Sequence, residues 1–407
     1  MSKISEYLEQ QRDKVISLQD KLVSIPALGP DNQGSGEKAK ADFLLSYLRD
    51  SGFDEIMEVN SPDPRAEGGY RPNIIAVVHG KNTSKTLWVI SHMDIVPAGD
   101  QSLWDGDPFK LRVEDDLIFG RGVEDNHQGI VSSILACSAF IETGEKPEIN
   151  LGLVLVSDEE TGNRHGLPFV LDEKKDLFKK DDLYLVPDFG TSDSKLVEVA
   201  EKSMLWVKIS VSGRQCHASR PDKGINTLVA SSAFVLRIEE LSHYFSDHSE
   251  LFSPPESTFC PTRKEANVPN INTIPGMDVF YVDCRVLPNY SLDEVMERLM
   301  AVGSEIEKKY RVKISYDTVL REQSAPFTDP SSEIVTSLVQ AIKNIRGVEP
   351  VPQGVGGGTV ASFLRHRDYS AVVWATLAGT AHQPNECSNI KNTINDARVM
   401  AYMASPW

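Results

Sequence analysis

Apolar runs alternate with helical patterns in the first half of the chain. Four runs rich in β-branched residues predict strands, namely NIIAVVHG, TLWVISHMD, LGLVLVSDEE and DLYLVPDFG. Segments between them, such as QGIVSSILACSAFIETG, have the spacing of helices. Because the runs are apolar throughout, they are typical of strands in a mostly parallel sheet sandwiched by helices. A fifth run of this kind, YSAVVWATLAG, comes only near the carboxyl end.

The segment that separates the fifth run from the others has a pattern of its own. A strand at 205–213, a helix, strands around NINTI and MDVFYVDCRVL, a second helix and a strand at 311–320 follow one another. This β-α-β-β-α-β order is the ferredoxin-like arrangement. We therefore predict that residues 202–321 form a small α+β domain inserted into a larger α/β domain, which consists of residues 1–201 and 322–407.

Composition excludes several classes of protein. No apolar run approaches the ~20 residues of a membrane helix, and the amino terminus lacks the apolar core of a signal peptide. The net charge of −17, from 42 basic and 59 acidic residues, should repel nucleic acid and anionic membranes. The five cysteines are scattered without a C-x-x-C pair, which predicts neither disulfides nor a thiolate metal site. We expect a cytoplasmic location.

Charged side chains follow three of the predicted buried strands. His92 and Asp94 come after LWVIS, the carboxylates of residues 158–160 follow LVLVS, and Asp188 follows LYLVP. In open α/β sheets the carboxyl ends of the strands line the ligand crevice, so these groups should converge. Converging carboxylates raise one another's pKa unless a cation neutralises them. A divalent metal would resolve that conflict.

Two further residues complete a candidate metal site. Asp125 lies in the loop FGRGVEDNHQG before a helix, and His382 lies in AGTAHQPNE after the late strand. Imidazole and carboxylate without cysteine suit zinc, with cobalt or manganese as alternatives. The inventory fits a two-metal hydrolytic centre with ions ~3.5–4 Å apart that share a water. Any one of these residues could be a core histidine or a helix cap; their coincidence at five strand-end sites favours the metal site.

The motifs SHMD, GRGVEDN, SDEETG, AHQPNE and SGRQCHASRPDKGIN resemble a known family over nearly the whole chain and in the same order. This is the zinc-dependent exopeptidase and deacylase family that includes glutamate carboxypeptidase G, carnosinase, aminoacylase, acetylornithine deacetylase and succinyl-diaminopimelate desuccinylase. The resemblance implies two divalent metal ions, zinc in the first place. It makes His92 and Asp188 ligands of one metal, Asp125 the bridging carboxylate, and Glu160 and His382 ligands of the other metal.

The resemblance also implies roles for residues beside the ligands. Asp94 would orient the imidazole of His92, and Glu159 would be the general base that takes a proton from the shared water and hands it to the leaving amine. The peptide between Asp125 and Asn126 is expected to be cis, as in the family.

The inserted domain resembles the family's dimerisation lid, which predicts a homodimer. His217 would reach the neighbouring subunit's site and stabilise the tetrahedral oxyanion, while Asn272 and Arg285 would contact substrate. A guanidinium grips a carboxylate with two prongs, so Arg285 predicts a substrate with a free carboxylate next to the bond that is cut. The alternative for Arg285 is a pair on the strand surface with Asp283, two residues earlier.

The stretch GVGGGTVASF resembles the family's glycine turn beside the substrate, with Gly357, Gly358 and Thr359 as contacts. Glycine repeats equally mark an ordinary tight turn. The chain departs from the family at Val360, where many relatives have Asp, and at His127–Gln128, where Lys and Gly are usual. These departures bear on substrate preference, and we expect His127 to be a solvated loop histidine rather than a metal ligand.

The expected function is hydrolysis of a peptide or N-acyl amide next to a free carboxylate, as a carboxypeptidase or dipeptidase. Asp at position 188 tends to accompany peptidases in the family. The alternative is an N-acyl-amino-acid deacylase of the acetylornithine or succinyl-diaminopimelate type. A remote alternative is an inactive metal-binding scaffold, which would have lost the base or the bridging group, whereas Glu159 and Asp125 are both present.

Overall fold

The computed structural model describes residues 2–407, and the chain forms two compact units. The first unit runs from the amino terminus to Val199 and adds Thr328–Pro352 and Thr359–Trp407. The second consists of Ala200–Phe327 and Gln353–Gly358. The second unit therefore extends beyond the predicted insert of 202–321 at both ends, and it includes a short segment from much later in the chain.

Helices and strands occur throughout the described residues. The α-helices are α1 (Lys3–Glu9), α2 (Arg12–Ser24), α3 (Lys38–Asp50), α4 (His127–Thr143), α5 (Leu167–Glu173), α6 (Thr227–Ile238), α7 (Leu241–Tyr244), α8 (Leu292–Tyr310), α9 (Glu333–Arg346), α10 (Ala361–Arg365) and α11 (Ile390–Ala404). The strands are β1 (Glu55–Pro62), β2 (Tyr70–Val78), β3 (Asn82–His92), β4 (Arg112–Glu114), β5 (Leu117–Phe119), β6 (Ile149–Val156), β7 (Leu183–Gly190), β8 (Leu196–Glu201), β9 (Ser203–Ser212), β10 (Cys216–His217), β11 (Thr258–Lys264), β12 (Thr273–Ile274), β13 (Met277–Val286), β14 (Lys313–Glu322), β15 (Val351–Val355), β16 (Ala371–Ala375) and β17 (Cys387–Asn389).

The main sheet has the strand order β1-β2-β6-β3-β7-β16-β8-β15. Its centre, β6-β3-β7-β16, is parallel, whereas β2 runs antiparallel to β6 and β8 antiparallel to β16. The prediction of an α/β fold is therefore confirmed, and these four strands form the parallel centre of the sheet. Because the four central strands share one direction, their carboxyl ends meet at one edge.

Both faces of the central strands are buried, which explains why their sequences are apolar throughout. On β3, Trp88 and Ile90 belong to a core cluster that includes Leu364 of α10. The intervening residues Leu87 and Val89 point to the opposite face and are also fully buried. Each such side chain contributes roughly 1.5–3 kcal/mol through its burial.

The second unit contains the predicted ferredoxin-like fold, but one strand was assigned wrongly. Its sheet has the order β11-β13-β9-β14, with antiparallel neighbours, and helices α6 and α8 contact it. The second strand is β11, not the segment around NINTI, of which only Thr273–Ile274 forms a short strand, paired with β10. β11 has no apolar signal because it is an edge strand that carries Pro261 and is exposed along most of its length.

Two compositional features have direct structural counterparts. No helix within residues 2–407 combines the length and the apolarity that crossing a membrane requires. All five cysteines carry free thiols, and Cys137 and Cys284 are buried.

Candidate metal centre

Five predicted metal ligands lie at one edge of the first unit's sheet. His92 is the last residue of β3, Glu160 follows β6, and Asp188 lies near the end of β7. Asp125 comes two residues before α4, and His382 lies in the loop after β16. The parallel centre of the sheet brings the three strand-end residues together, and two loops add the others.

The first group consists of His92, Asp125 and Asp188, whose ligand atoms lie within 4.8 Å of one another. His92 Nε2 is 2.8 Å from Asp125 Oδ1 and 3.3 Å from Asp188 Oδ1. Asn126 Nδ2 donates to Asp188 Oδ1 at 2.8 Å and fixes that carboxylate. The peptide between Asp125 and Asn126 is cis, as expected.

The second group consists of Asp125, Glu160 and His382, with ligand atoms within the same distance. His382 Nε2 is 3.0 Å from Asp125 Oδ2 and 3.2 Å from Glu160 Oε1. Asp125 belongs to both groups, and its two oxygens face the two histidines. The His382 side chain is 54% exposed, whereas that of His92 is 2% exposed. The second group therefore forms the open side of the centre.

The donor atoms fit divalent metal ions. His92 Nδ1 donates to the carbonyl oxygen of Asp94 at 2.9 Å, which leaves Nε2 as the ring nitrogen that faces the first group. Two imidazole nitrogens and carboxylate oxygens without cysteine are the donor set of zinc and of neighbouring transition metals. A carboxylate with one oxygen toward each group is placed to bridge two ions.

The electrostatics of the centre favour a cation. Burial opposes protonation of His92, but Asp188 and Asp125 raise its pKa well above the usual range. Asp125 and Glu160 raise the pKa of His382 to about 10. Burial raises the pKa of Glu159 well above its usual range, and Asp188 and Glu160 add to that effect. Carboxylates outnumber imidazoles here, and a divalent cation would relieve their repulsion.

Asp94 was expected to orient the His92 imidazole through its carboxylate, but that carboxylate mainly binds backbone N–H groups. Its carboxylate accepts the backbone N–H of Glu159 at 3.1 Å and of Glu160 at 3.0 Å. The Oδ1 atom lies 3.6 Å from His92 Nδ1, and the closer contact to the ring comes from the Asp94 carbonyl. Asp94 therefore holds the backbone of residues 158–160, which we call the acidic turn, as well as the imidazole of His92.

Asp158, the first of the three consecutive acids, belongs to neither metal group. Its Oδ1 atom lies 3.3 Å from Nη1 of Arg71, a fully buried residue of β2 that also pairs with the buried carboxylate of Glu37. Asp158 Oδ2 accepts the backbone N–H of His165 at 3.1 Å. Sequence reasoning missed Arg71 and Glu37, for which the only available signal was a basic residue at the start of an apolar run.

His127 is buried, so the prediction of a solvated histidine is wrong. It is the first residue of α4, and its Nε2 atom lies 2.6 Å from Nζ of Lys40, a buried residue of α3. Its Nδ1 atom has no hydrogen-bond partner among the described residues. Tertiary packing of α3 against the start of α4 decides this burial. Val360, the other departure, is also buried, in the core cluster of the main sheet.

His217 and Asn272 lie next to each other in the second unit. β10 pairs with β12, and Ala218 N donates to Asn272 O at 2.8 Å. His217 is exposed, and its Nδ1 atom accepts the backbone N–H of Ser219 at 3.1 Å. That contact orients the ring and leaves Nε2 available.

Arg285 forms the surface pair that the sequence offered as an alternative. Its Nε and Nη2 atoms contact the two oxygens of Asp283 at 2.8 and 3.1 Å. Its Nη1 atom also donates to the carbonyl of Gly356 at 2.6 Å, so the guanidinium lies against the glycine turn. Gly357 and Gly358 belong to this second unit, whereas Thr359 begins the next segment of the first.

The protein has an α/β sheet whose central strands are parallel, and two neighbouring sets of imidazole and carboxylate ligands lie at the carboxyl ends of those strands. This combination is typical of a metal-dependent hydrolase. The chain belongs to Peptidase family M20/M25/M40, whose sequence profile matches residues 88–405. It is a hydrolase of peptide or amide bonds, and membership in this family implies divalent metal ions as cofactors.

Relatives match nearly the full length of the chain. An uncharacterized metallohydrolase of Methanococcus maripaludis is 42% identical over 95% of this chain and 97% of its own length. A succinyl-diaminopimelate desuccinylase of a Nitratiruptor species is 26% identical over 92% of this chain and 94% of its own length. The solved dipeptidase Dug1p of Saccharomyces cerevisiae is 18% identical, covers 100% of this chain and 99% of its own, and has a TM-score of 0.72. At that identity the likeness shows the fold.

Proposed function

We propose that the protein is a two-metal exopeptidase that cleaves a peptide bond next to a free carboxylate, as a carboxypeptidase or dipeptidase. The observation that carries this proposal is the position of Asp125, whose two oxygens face His92 and His382 at 2.8 and 3.0 Å. Its ligands would be His92, Asp125 and Asp188 for one ion, and Asp125, Glu160 and His382 for the other. Zinc is the proposed metal because the donors are imidazole and carboxylate.

Different residues are proposed to have different roles in hydrolysis. When bound, the two ions would lower the pKa of a water molecule and polarise the scissile carbonyl. Glu159, whose pKa is raised by burial, takes the proton from that water and passes it to the leaving amine. Asp94 keeps Glu159 in place through the backbone of the acidic turn. His217 donates a hydrogen bond to the developing oxyanion in the neighbouring subunit's site.

Substrate selection is proposed to depend on the second unit. The contact of Arg285 with Gly356 supports a shared role for this arginine and the turn that includes Gly357 and Gly358. In this role Arg285 would grip a substrate carboxylate in competition with Asp283. The assignments of Asn272 and Thr359 rest on the family resemblance.

A homodimer formed through the second unit is also proposed. Its support is an apolar stripe on the exposed side of α6, where Leu228, Val229 and Leu236 are 42%, 50% and 76% exposed. Val229 and Leu236 lie on one face because they are two helical turns apart, and Leu228 lies at the edge of that face. The proposed compartment is the cytoplasm, which agrees with five free thiols.

The second candidate function is an N-acyl-amino-acid deacylase. Similarity to a succinyl-diaminopimelate desuccinylase along nearly the whole chain favours it. A panel of dipeptides and N-acyl amino acids, offered to the zinc-loaded protein, separates the two. Cleavage of dipeptides alone supports the exopeptidase, and cleavage of N-acyl amino acids alone replaces it with the deacylase.

The catalytic role of Glu159 is tested by Glu159→Gln. Removal of a general base lowers turnover by about 10²–10⁴-fold, and the bound metal should be unchanged because Glu159 is not a proposed ligand. Glu114→Gln, an exposed acid paired with Arg112, is the matched control and should behave as the parent. A Glu159→Gln protein that retains metal and full turnover would remove Glu159 from its role.

A further inference from the structure

Two buried carboxylates connect the loops that carry Asp125 and His382. Glu386 is fully buried, and its Oε1 atom accepts the backbone N–H of Glu124 at 2.9 Å and of Asp125 at 3.0 Å. Its Oε2 atom accepts the N–H of Gly122 at 3.0 Å. Arg121 Nη1 also donates to Oε2, at 2.6 Å. One side chain from the His382 loop therefore binds three backbone amides of the Asp125 loop.

Glu124 makes the reciprocal connection. It is fully buried, and its carboxylate accepts the backbone N–H of Gly379 at 2.9 Å. It also accepts the backbone N–H and the hydroxyl of Thr380, the latter at 2.7 Å. Gly379 and Thr380 lie two to three residues before His382. Each loop thus supplies a buried carboxylate that binds the backbone of the other loop.

We infer that Glu124 and Glu386 are positioning residues that set the distance between Asp125 and His382, and thereby the geometry of the second metal group. This inference rests on the proposed two-metal function. Neither glutamate belongs to a metal group, so both act through the backbone that carries the ligands. Partners of this kind typically change metal affinity by about 10–100-fold when they are lost. Strands fix His92 and Asp188, but the loop ligands need this second anchor.

The two glutamates should differ in their effects. Glu124 binds the backbone N–H groups of Gly379 and Thr380, close to His382. His382 belongs to one metal group only. Glu386 binds the amide of Asp125, which belongs to both groups. Loss of the Glu124 carboxylate should therefore weaken one ion, whereas loss of the Glu386 carboxylate should weaken both. In each case a Gln replacement has the same shape but turns an amide N–H toward backbone N–H groups.

The experiment compares metal binding by the parent, Glu124→Gln and Glu386→Gln proteins. Cobalt is added to the metal-free protein while the visible absorption of the bound ion is followed, and zinc affinities are measured in competition with a chromophoric chelator. The control is Glu198→Gln, which also removes a buried carboxylate, there paired with Arg365 at 3.1 Å. We expect one ion of two to bind about 10–100-fold more weakly in Glu124→Gln and both in Glu386→Gln. The Glu198→Gln control should bind both ions as the parent does.

Two results would overturn this inference and leave the proposed two-metal function standing. One is a parent that binds two ions and a Glu124→Gln protein that binds both of them equally tightly. The other is an equal loss of affinity in Glu198→Gln, which would show general destabilisation. If Glu386→Gln does not fold, Glu124→Gln decides the question. A parent that takes up a single ion would overturn the proposed function together with this inference.

Discussion

Replacement of Arg71 by Met tests how the acidic turn is held. Arg71 is fully buried, and its guanidinium donates to Glu37 from two nitrogens, one at 2.6 Å, and contacts Asp158 at 3.3 Å. Met fills a similar space without charge. The variant would leave the carboxylates of Glu37 and Asp158 buried without their cation. Asp158 comes directly before Glu159 and Glu160 in the chain.

The size of the effect follows from the two fates open to a buried carboxylate. If it stays charged, loss of its partner costs about 3–5 kcal/mol. If Glu37 takes up a proton, the cost at pH 7 is about 1.36 kcal/mol for each of the ~2.7 units between pH 7 and its reference pKa, or about 4 kcal/mol. Asp158 is not counted, because it keeps the hydrogen bonds from the Thr161 hydroxyl and the backbone N–H of His165. At pH 5 the same protonation costs about 1 kcal/mol. In the variant the folded pKa lies above the unfolded pKa, so stability is lost as pH rises between the two.

The assay is urea unfolding of the metal-free protein, followed by the fluorescence of the buried residues Trp88 and Trp374. We expect Arg71→Met to lower the free energy of unfolding by about 3–5 kcal/mol at pH 7 and by roughly 1 kcal/mol at pH 5. Arg49→Met is the control: Arg49 pairs with Glu58 on the surface, and its loss should cost under ~1 kcal/mol. A penalty equal at the two pH values would refute the reasoning, because lost packing does not titrate.

Three further predictions concern pH, assembly and metal. Burial lowers the pKa of Lys40 from 10.5 to about 7, so the unfolded chain binds more protons than the folded chain between these pH values. The free energy of unfolding of the metal-free parent should therefore rise, relative to that of Lys40→Met, by about 1.4 kcal/mol per pH unit from pH 7.5 to 9.5. Equal pH dependence of the two unfolding free energies would contradict this. His217→Ala should lower turnover at unchanged metal content, and mixed dimers with Glu159→Gln should regain part of the activity; no recovery in proven mixed dimers would remove His217 from the neighbouring site. Dialysis against a chelator should abolish hydrolysis and zinc should restore it, whereas unchanged activity would exclude the metal centre.

Residues at the ends of apolar strands were the part of the site that local hydrophobic pattern could predict, whereas the loop residues Asp125 and His382 were proposed from their residue types and from the family resemblance. A run such as LWVISHMD identifies a buried strand by its apolarity, and the parallel arrangement brings the ends of such strands to one edge. His92 and Asp188 were found in this way from local pattern alone. Asp125 and His382 lie in loops, and the structure places them in the same centre.

The supporting contacts could not be predicted because they join residues far apart in the chain. Arg71 and Glu37 are 34 positions apart, and Glu386 lies 261 positions from Asp125. No periodicity marks such pairs, and a charged residue in a sequence is more often solvated than buried. The burial of His127 against Lys40, 87 positions earlier, follows the same rule. The edge strand β11 was missed for a different reason, since an exposed strand has no apolar face to show.

Local patterns along the chain were enough to establish the α/β class, the inserted ferredoxin-like fold and the side chains at the strand ends, because hydrophobic periodicity is local and its consequence is burial. Long-range packing, in contrast, sets which carboxylates face the metal groups and which, like Asp158, Glu124 and Glu386, bind the backbone instead. A carboxylate has the same chemistry in either place, and its role depends on whether a cation or an amide lies opposite it in the folded chain.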